Sequence, residues 1–116
     1  MDKTKNLVEL ITKGIQDKKG HGIVIADLSE IDGTICRYFV ICQGNSTQQV
    51  EAIAGSVSDY VRETIGINCV GLGNAQWVAI DYADVIVHIF TPETREFYDI
   101  EHLWEDAKLT TLPDLD

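Results

Sequence analysis

The sequence predicts an α/β domain: a five-stranded mixed sheet packed by helices. Three observations carry this. Apolar residues recur at helical spacing in three stretches, and short β-branched or aromatic runs lie between turn residues. The two kinds of element alternate in the order α-β-β-α-β-β-β-α. A chain of 116 residues that is 45% hydrophobic makes one domain with its own core, without need of disulfides or a structural metal.

Each element has its signal. Leu7, Val8, Ile11 and Ile15 define a first helix over 4–19, with Gly20 as its stop. Ile23–Ala26 is a continuous apolar run, the mark of a buried strand. The acid-rich connection Asp27–Gly33 ends in the turn pair Asp32-Gly33, and Cys36–Gln43 is the second strand. Ser46 and Gln49 form a capping box, in which each side chain satisfies the other residue's backbone N–H. Val50, Ile53, Ala54, Val57, Val61 and Ile65 follow at three- and four-residue spacing up to Gly66, giving a second helix over 47–65. It can serve as a crossover between its flanking strands. Ile67–Leu72 is the third strand. Trp77–Ile80 and Val85–Phe90 flank Asp81-Tyr82-Ala83-Asp84 as a tight antiparallel hairpin, which makes the sheet mixed. Thr91-Pro92-Glu93 opens a last helix, with Thr as N-cap and Pro in the first position. Its stripe of Phe97, Ile100, Leu103/Trp104 and Ala107 breaks near Asp99. Residues 1–108 form the domain and 109–116 an acidic, flexible tail.

Charge narrows the function. The net charge is −10, and it is unevenly spread: residues 1–80 carry 9 acids and 7 bases, residues 81–116 carry 10 acids and only Arg95 and Lys108. Such a surface repels phosphates, which argues against sequence-specific nucleic-acid binding and favours a basic partner. No apolar run approaches the ~20 residues of a membrane-spanning helix. The N-terminal stretch mixes both charge signs and has no signal-peptide centre. Cys36, Cys42 and Cys69 are an odd number without CxxC spacing and read as buried strand thiols in a reducing cytoplasm.

Catalysis has little support. Gly44-Asn45-Ser46 before a helix is a potential anion site. It also looks like the entry to the sheet of nucleotidyltransferases, which require two metal-holding acids at alternate positions of a strand. Acid-x-acid spacing occurs at Asp99/Glu101, in a helical segment, and at Asp114/Asp116, in the tail; neither is a core strand. Simple capping by Ser46 is the stronger reading. His21, His88 and His102 are isolated from one another, and a metal site needs three or four converging ligands. His88 alternates with Val87 and Ile89, which points it outward near Asp81 or Asp84. No catalytic residues, metal ligands or cofactor are therefore assigned. A residual nucleotidyltransferase or metal enzyme built on Ser46 stands as the alternative to a binding factor.

The aromatic residues say more. Six of nine (Trp77, Tyr82, Phe90, Phe97, Tyr98 and Trp104) lie within residues 77–104, interleaved with acids and one Arg. That is the anchor-plus-charge composition of protein interfaces. Phe90 and Phe97 read as core rings under the last helix, and Tyr82, on the hairpin turn, as exposed. A homodimer through a strand edge or this aromatic patch is a further reading.

The residues also carry a family resemblance. Gly44-Asn45-Ser46 with Gln49-Val50, the run Trp77–Phe90, then Arg95-Glu96-Phe97-Tyr98 and Glu101-His102-Leu103-Trp104 resemble the Iojap-like ribosomal silencing factor family, RsfS, over 5–107. The resemblance implies a nucleotidyltransferase-like α/β fold that lacks the catalytic acid pair. It implies a cytoplasmic translation repressor that binds the large ribosomal subunit through the basic fourteenth large-subunit protein. Joining of the small subunit is thereby blocked when nutrients are scarce. Two departures stand out: Ala83 where the family usually has Gly, and Arg37 where it commonly has Asp. In this setting Asp81, Tyr82, Asp84 and Glu101 are the residues expected for polar recognition, with Trp77, Tyr98 and Trp104 as anchors or their support. Arg95 is expected to pair internally with a neighbouring acid.

Overall fold

In the computed structural model, which describes residues 3–28, 37–65, 70–74, 76–82, 84–99 and 108–112, the apolar patterning resolves into helices laid on a twisted sheet. Helix α1 (Lys3–Asp17) buries Leu7, Val8, Ile11 and Ile15. Its end is a Schellman closure: Gly20 N–H donates to the Ile15 carbonyl and Lys19 N–H to the Gln16 carbonyl, with Lys19 left-handed at φ 58°. The stop expected at Gly20 is thus made one residue earlier, by a lysine.

Helix α2 (Thr47–Ile65) starts on the expected cap. Gln49 N–H donates to Ser46 Oγ at 3.1 Å. The reciprocal bond is shifted by one residue, since Gln49 Oε1 accepts from the Asn45 N–H. Gln49 Nε2 then donates to the carbonyls of Lys18 and Lys19, so one side chain caps α2 and fastens it to the end of α1. Val50, Ile53, Val57 and Val61 are fully buried, each worth about 1.5–3 kcal/mol over exposure.

The five expected strands are β1 (His21–Asp27), β2 (Tyr38–Gln43), β3 (Val70–Asn74), β4 (Trp77–Asp81) and β5 (Val85–Phe90). A sixth, β6 (Lys108–Thr111), pairs antiparallel with β1 and extends the sheet by one edge strand. Thr110 and Thr111 are β-branched, but every residue of β6 is exposed, so no burial pattern marked it in a stretch read as the start of the tail. The spatial order is β3-β4-β5-β2-β1-β6, with β2 and β5 parallel and all other pairs antiparallel. β2 and β3, the strands flanking α2, are not neighbours. The helix carries the chain past the positions of β5 and β4 to the far edge, before β4 and β5 return it to β2.

Alternation sorts the side chains. Val40, Cys42, Ile80, Val85, Val87 and Ile89 face α1 and α2. Ala26, Phe39, Ile41 and Phe90 form a smaller cluster on the other face, with Trp77 and Ile86 against it. Helix α3 (Pro92–Tyr98) follows β5 directly and ends where Asp99 turns left-handed at φ 47°, the break expected there. Thr91 stands at its N-cap, although its hydroxyl bonds the Thr94 hydroxyl rather than a backbone N–H. Among the described residues no helix is long and apolar enough to cross a membrane.

The two long helices meet closely at Gly14. A Cβ there would lie 2.8 Å from Val57 Cα, and Ser56 Oγ donates to the Gly14 carbonyl at 2.9 Å. Gly14→Ala improves helix propensity by about 1 kcal/mol. It forces backbone apart at a packed crossing, so a net loss of about 1–3 kcal/mol is expected in urea unfolding. An unchanged or raised midpoint would show that the helices separate freely.

Candidate partner-binding face

The second sheet face is organised around Trp77 and His88, on adjacent antiparallel strands. Register sets Trp77 opposite Phe90 and His88 opposite Ala79. Trp77 Nε1–H donates to His88 Nδ1 at 3.1 Å. The indole stacks on Phe90 at 5.1 Å, and Phe39 meets His88 edge-on at 4.9 Å. Tyr98, from the last turn of α3, lies 4.7 Å from Trp77. The entry to α3 is tied to the same place, because Thr91 N–H donates to the Gln76 carbonyl at 3.0 Å. One ring system therefore runs from the buried centre of the sheet to the surface helix.

His88 does not face outward toward Asp81 or Asp84. It is only 8% exposed, and Asp81 pairs with Ile86 instead. Alternation does send His88 away from α1 and α2, but the face it reaches is packed with rings. Burial pushes its pKa down to about 4. It therefore stays neutral, and accepting at Nδ1 places its proton on Nε2.

Of the residues expected to contact a partner, Asp81 and Asp84 are exposed at either side of the β4–β5 turn. Trp77 is half-buried and Tyr98 is 48% exposed. Tyr82 is a correction: it is 7% exposed and sits in the helix-side core. It continues the row Val78, Ile80, Tyr82, so alternation carries the ring inward although the backbone is turning. Glu101 and Trp104 lie outside the described residues, as do Ala83, Cys36 and Cys69. Phe97 is the opposite correction, being 81% exposed rather than core. Arg95 and Tyr98 (i, i+3) take the sheet-facing side of α3 and leave Phe97 pointing away. The break near Asp99 was the available signal, because a two-turn helix has too little length to bury a full stripe.

Arg95 turns inward. Its Nη1 donates to the Gly22 carbonyl at 2.7 Å and to Gln43 Oε1 at 3.2 Å. Gly22 is required there: its φ is 60°, and a Cβ would collide with the guanidinium. Beside Arg95, burial pushes the Cys42 thiol up to about 12, so it remains protonated and is no nucleophile. Ser46 Oγ is engaged in capping Gln49. Among the described residues no three His, Cys, Asp or Glu side chains converge as a metal would need.

The state of His88 has a pH consequence. Its folded value is depressed below the ordinary 6.5, so the unfolded chain binds the extra proton between pH 6.5 and about 4. The stability this gives is present above 6.5 and is lost as pH falls through that window. An NMR titration of the folded protein is expected to show a His88 midpoint well below 6.5; a midpoint near 6.5 would contradict the buried, neutral ring.

Known proteins share this architecture. The family model described as "Ribosomal silencing factor during starvation" matches residues 1–116. Ribosomal silencing factor RsfS of Bacillus subtilis is 37% identical over 111 residues, covering 93% of this chain and 92% of that protein. A crystal structure of a Chromobacterium violaceum protein superposes with a TM-score of 0.83 at 31% identity, over 97% of this chain and 94% of the other. A mouse protein named mitochondrial assembly of ribosomal large subunit protein 1 is 31% identical over 72 residues, 58% of this chain and 32% of that protein. This chain belongs to the ribosomal silencing factor family, RsfS.

Proposed function

We propose that this protein represses translation by binding the large ribosomal subunit and blocking its union with the small one. The observation that carries the reading is the family match along the whole chain. The name of the mouse relative, which concerns ribosomal large subunit assembly, favours the large subunit as the target. The partner within it is a basic protein, the fourteenth of the large subunit, and the protein works in the cytoplasm beside ribosomes.

The physical argument is one of charge and volume. A body with ten acids and two bases beyond residue 80 is steered to basic protein and repelled by exposed phosphate. Asp81 and Asp84 stand in water where a cationic surface can reach them. A domain of 35 × 33 × 26 Å seated on an intersubunit face excludes the other subunit by bulk, with no bond made or broken. Ser46 is occupied as a helix cap and Cys42 is kept protonated, which favours binding over catalysis.

Co-sedimentation with isolated large subunits tests this. The wild-type protein is expected to pellet with them, less so as salt rises, and to keep them from joining small subunits. Asp81→Lys/Asp84→Lys is expected to weaken binding tenfold or more while melting like wild type. Undiminished binding by the folded double variant would remove the β4–β5 turn from the interface, and failure of the wild type to pellet would remove the function.

A further inference from the structure

We infer that the depression between Trp77 and α3 is a socket for an arginine side chain, where a basic protein segment anchors. This rests on the ribosomal reading above and adds a place and a chemistry to it. The depression, about 340 Å³, is lined by Gln76, Trp77, Glu93, Thr94, Phe97 and Tyr98. Phe97 is 81% exposed, yet its ring meets Tyr98 edge-on at 5.1 Å, and the Tyr98 ring lies tilted against Trp77 at 4.7 Å. Exposed apolar residues scattered singly need no explanation, but three contiguous rings around an open hollow mark an interaction site. The hollow is built in advance: the Thr91–Gln76 bond joins its two walls, and the Trp77–His88 bond fixes the indole.

Charge selects the occupant. Glu93 stands on one wall and Glu96 is exposed next to Phe97 in the chain, on the neighbouring depression of the same helix, while the one cation of α3, Arg95, is turned inward onto Gly22 and Gln43. Aromatic faces bordered by a carboxylate suit a guanidinium, which stacks on rings and donates at its edge. RNA phosphate carries the wrong sign. A second copy packed symmetrically here would set the same acids against each other. Phe97 then acts as a binding hot spot rather than a core residue.

The full-length protein tests the socket through its affinity for isolated large subunits. Phe97→Ala and Glu93→Lys/Glu96→Lys are compared with wild type and with Asp81→Lys/Asp84→Lys, and folding is checked by melting. Phe97→Ala and Glu93→Lys/Glu96→Lys are each expected to weaken binding tenfold or more at an unchanged melting temperature. Arginine amide is expected to compete where citrulline amide at matched ionic strength does not. Wild-type affinity in both variants, with loss confined to Asp81→Lys/Asp84→Lys, would overturn the socket and leave the ribosomal reading standing. A wild-type protein that ignores large subunits would overturn both. Tighter binding by Glu93→Lys/Glu96→Lys would mean phosphate lies here, and a Phe97→Ala variant altered only in light scattering would mean a self-association surface; either result overturns the socket.

Discussion

The parallel pair of β2 and β5 is buried on both faces, and the rest of the molecule is arranged to satisfy it. Val40, Ile41, Cys42, Val85, Val87, Ile89 and Phe90 are all buried, so each strand must be covered from two sides. A slip of one residue would exchange the two sets and put Phe90 under the helices. Two parallel strands cannot be joined by a tight turn. The chain therefore leaves β2 through α2, reaches the far edge at β3 and comes back through β4. That return fixes Trp77 beside β5, and the direct run from β5 into α3 brings Tyr98 over it.

The two faces are closed differently. On one, aliphatic side chains from α1 and α2 interdigitate, and the crossing is held close by Gly14 against Val57. On the other, the polar exception His88 has its Nδ1 met by the indole N–H of Trp77, while its buried Nε2 has no hydrogen-bond partner among the described residues. A buried acceptor with a donor is tolerable, where one without would cost about 1–3 kcal/mol. Trp77 thus serves the core and the surface together. Its N–H satisfies Nδ1 of His88, while its ring supports Tyr98 and the exposed edge of α3.

Much of this was legible in the sequence, because it follows from period and local chemistry. The stripes of α1 and α2, the Ser46–Gln49 cap, the β4–β5 hairpin and the break at Asp99 are all encoded within a few residues. The misreadings share a cause: they concern which face a residue reaches and what lies on that face. Tyr82 looked exposed because it is a turn residue, yet the row from Val78 and Ile80 carries it inward. His88 was assigned the correct side of its strand, but that side holds rings rather than solvent. Phe97 looked like core because a helical stripe was continued past a helix that stops at Tyr98. β6 is an edge strand with no buried residue, so nothing in its pattern announced it. Of the candidate face, Trp77, Asp81, Asp84 and Tyr98 were named from the acidic and aromatic composition together with the family resemblance, while Gln76, Glu93, Thr94 and Phe97 needed the fold to bring them together.

These features divide the molecule into a helical side that holds the fold and an aromatic, acidic side that we propose meets the partner. Among the described residues beyond 80, Asp81, Asp84, Glu93, Glu96 and Asp99 are all exposed. Hydrogen–deuterium exchange of the protein, alone and with isolated large subunits, tests this division most directly. Slowed exchange is predicted in α3 and around the β4–β5 turn, with the exposed faces of α1 and α2 unchanged. Protection confined to α1 and α2, with α3 exchanging as in the free protein, would contradict the account.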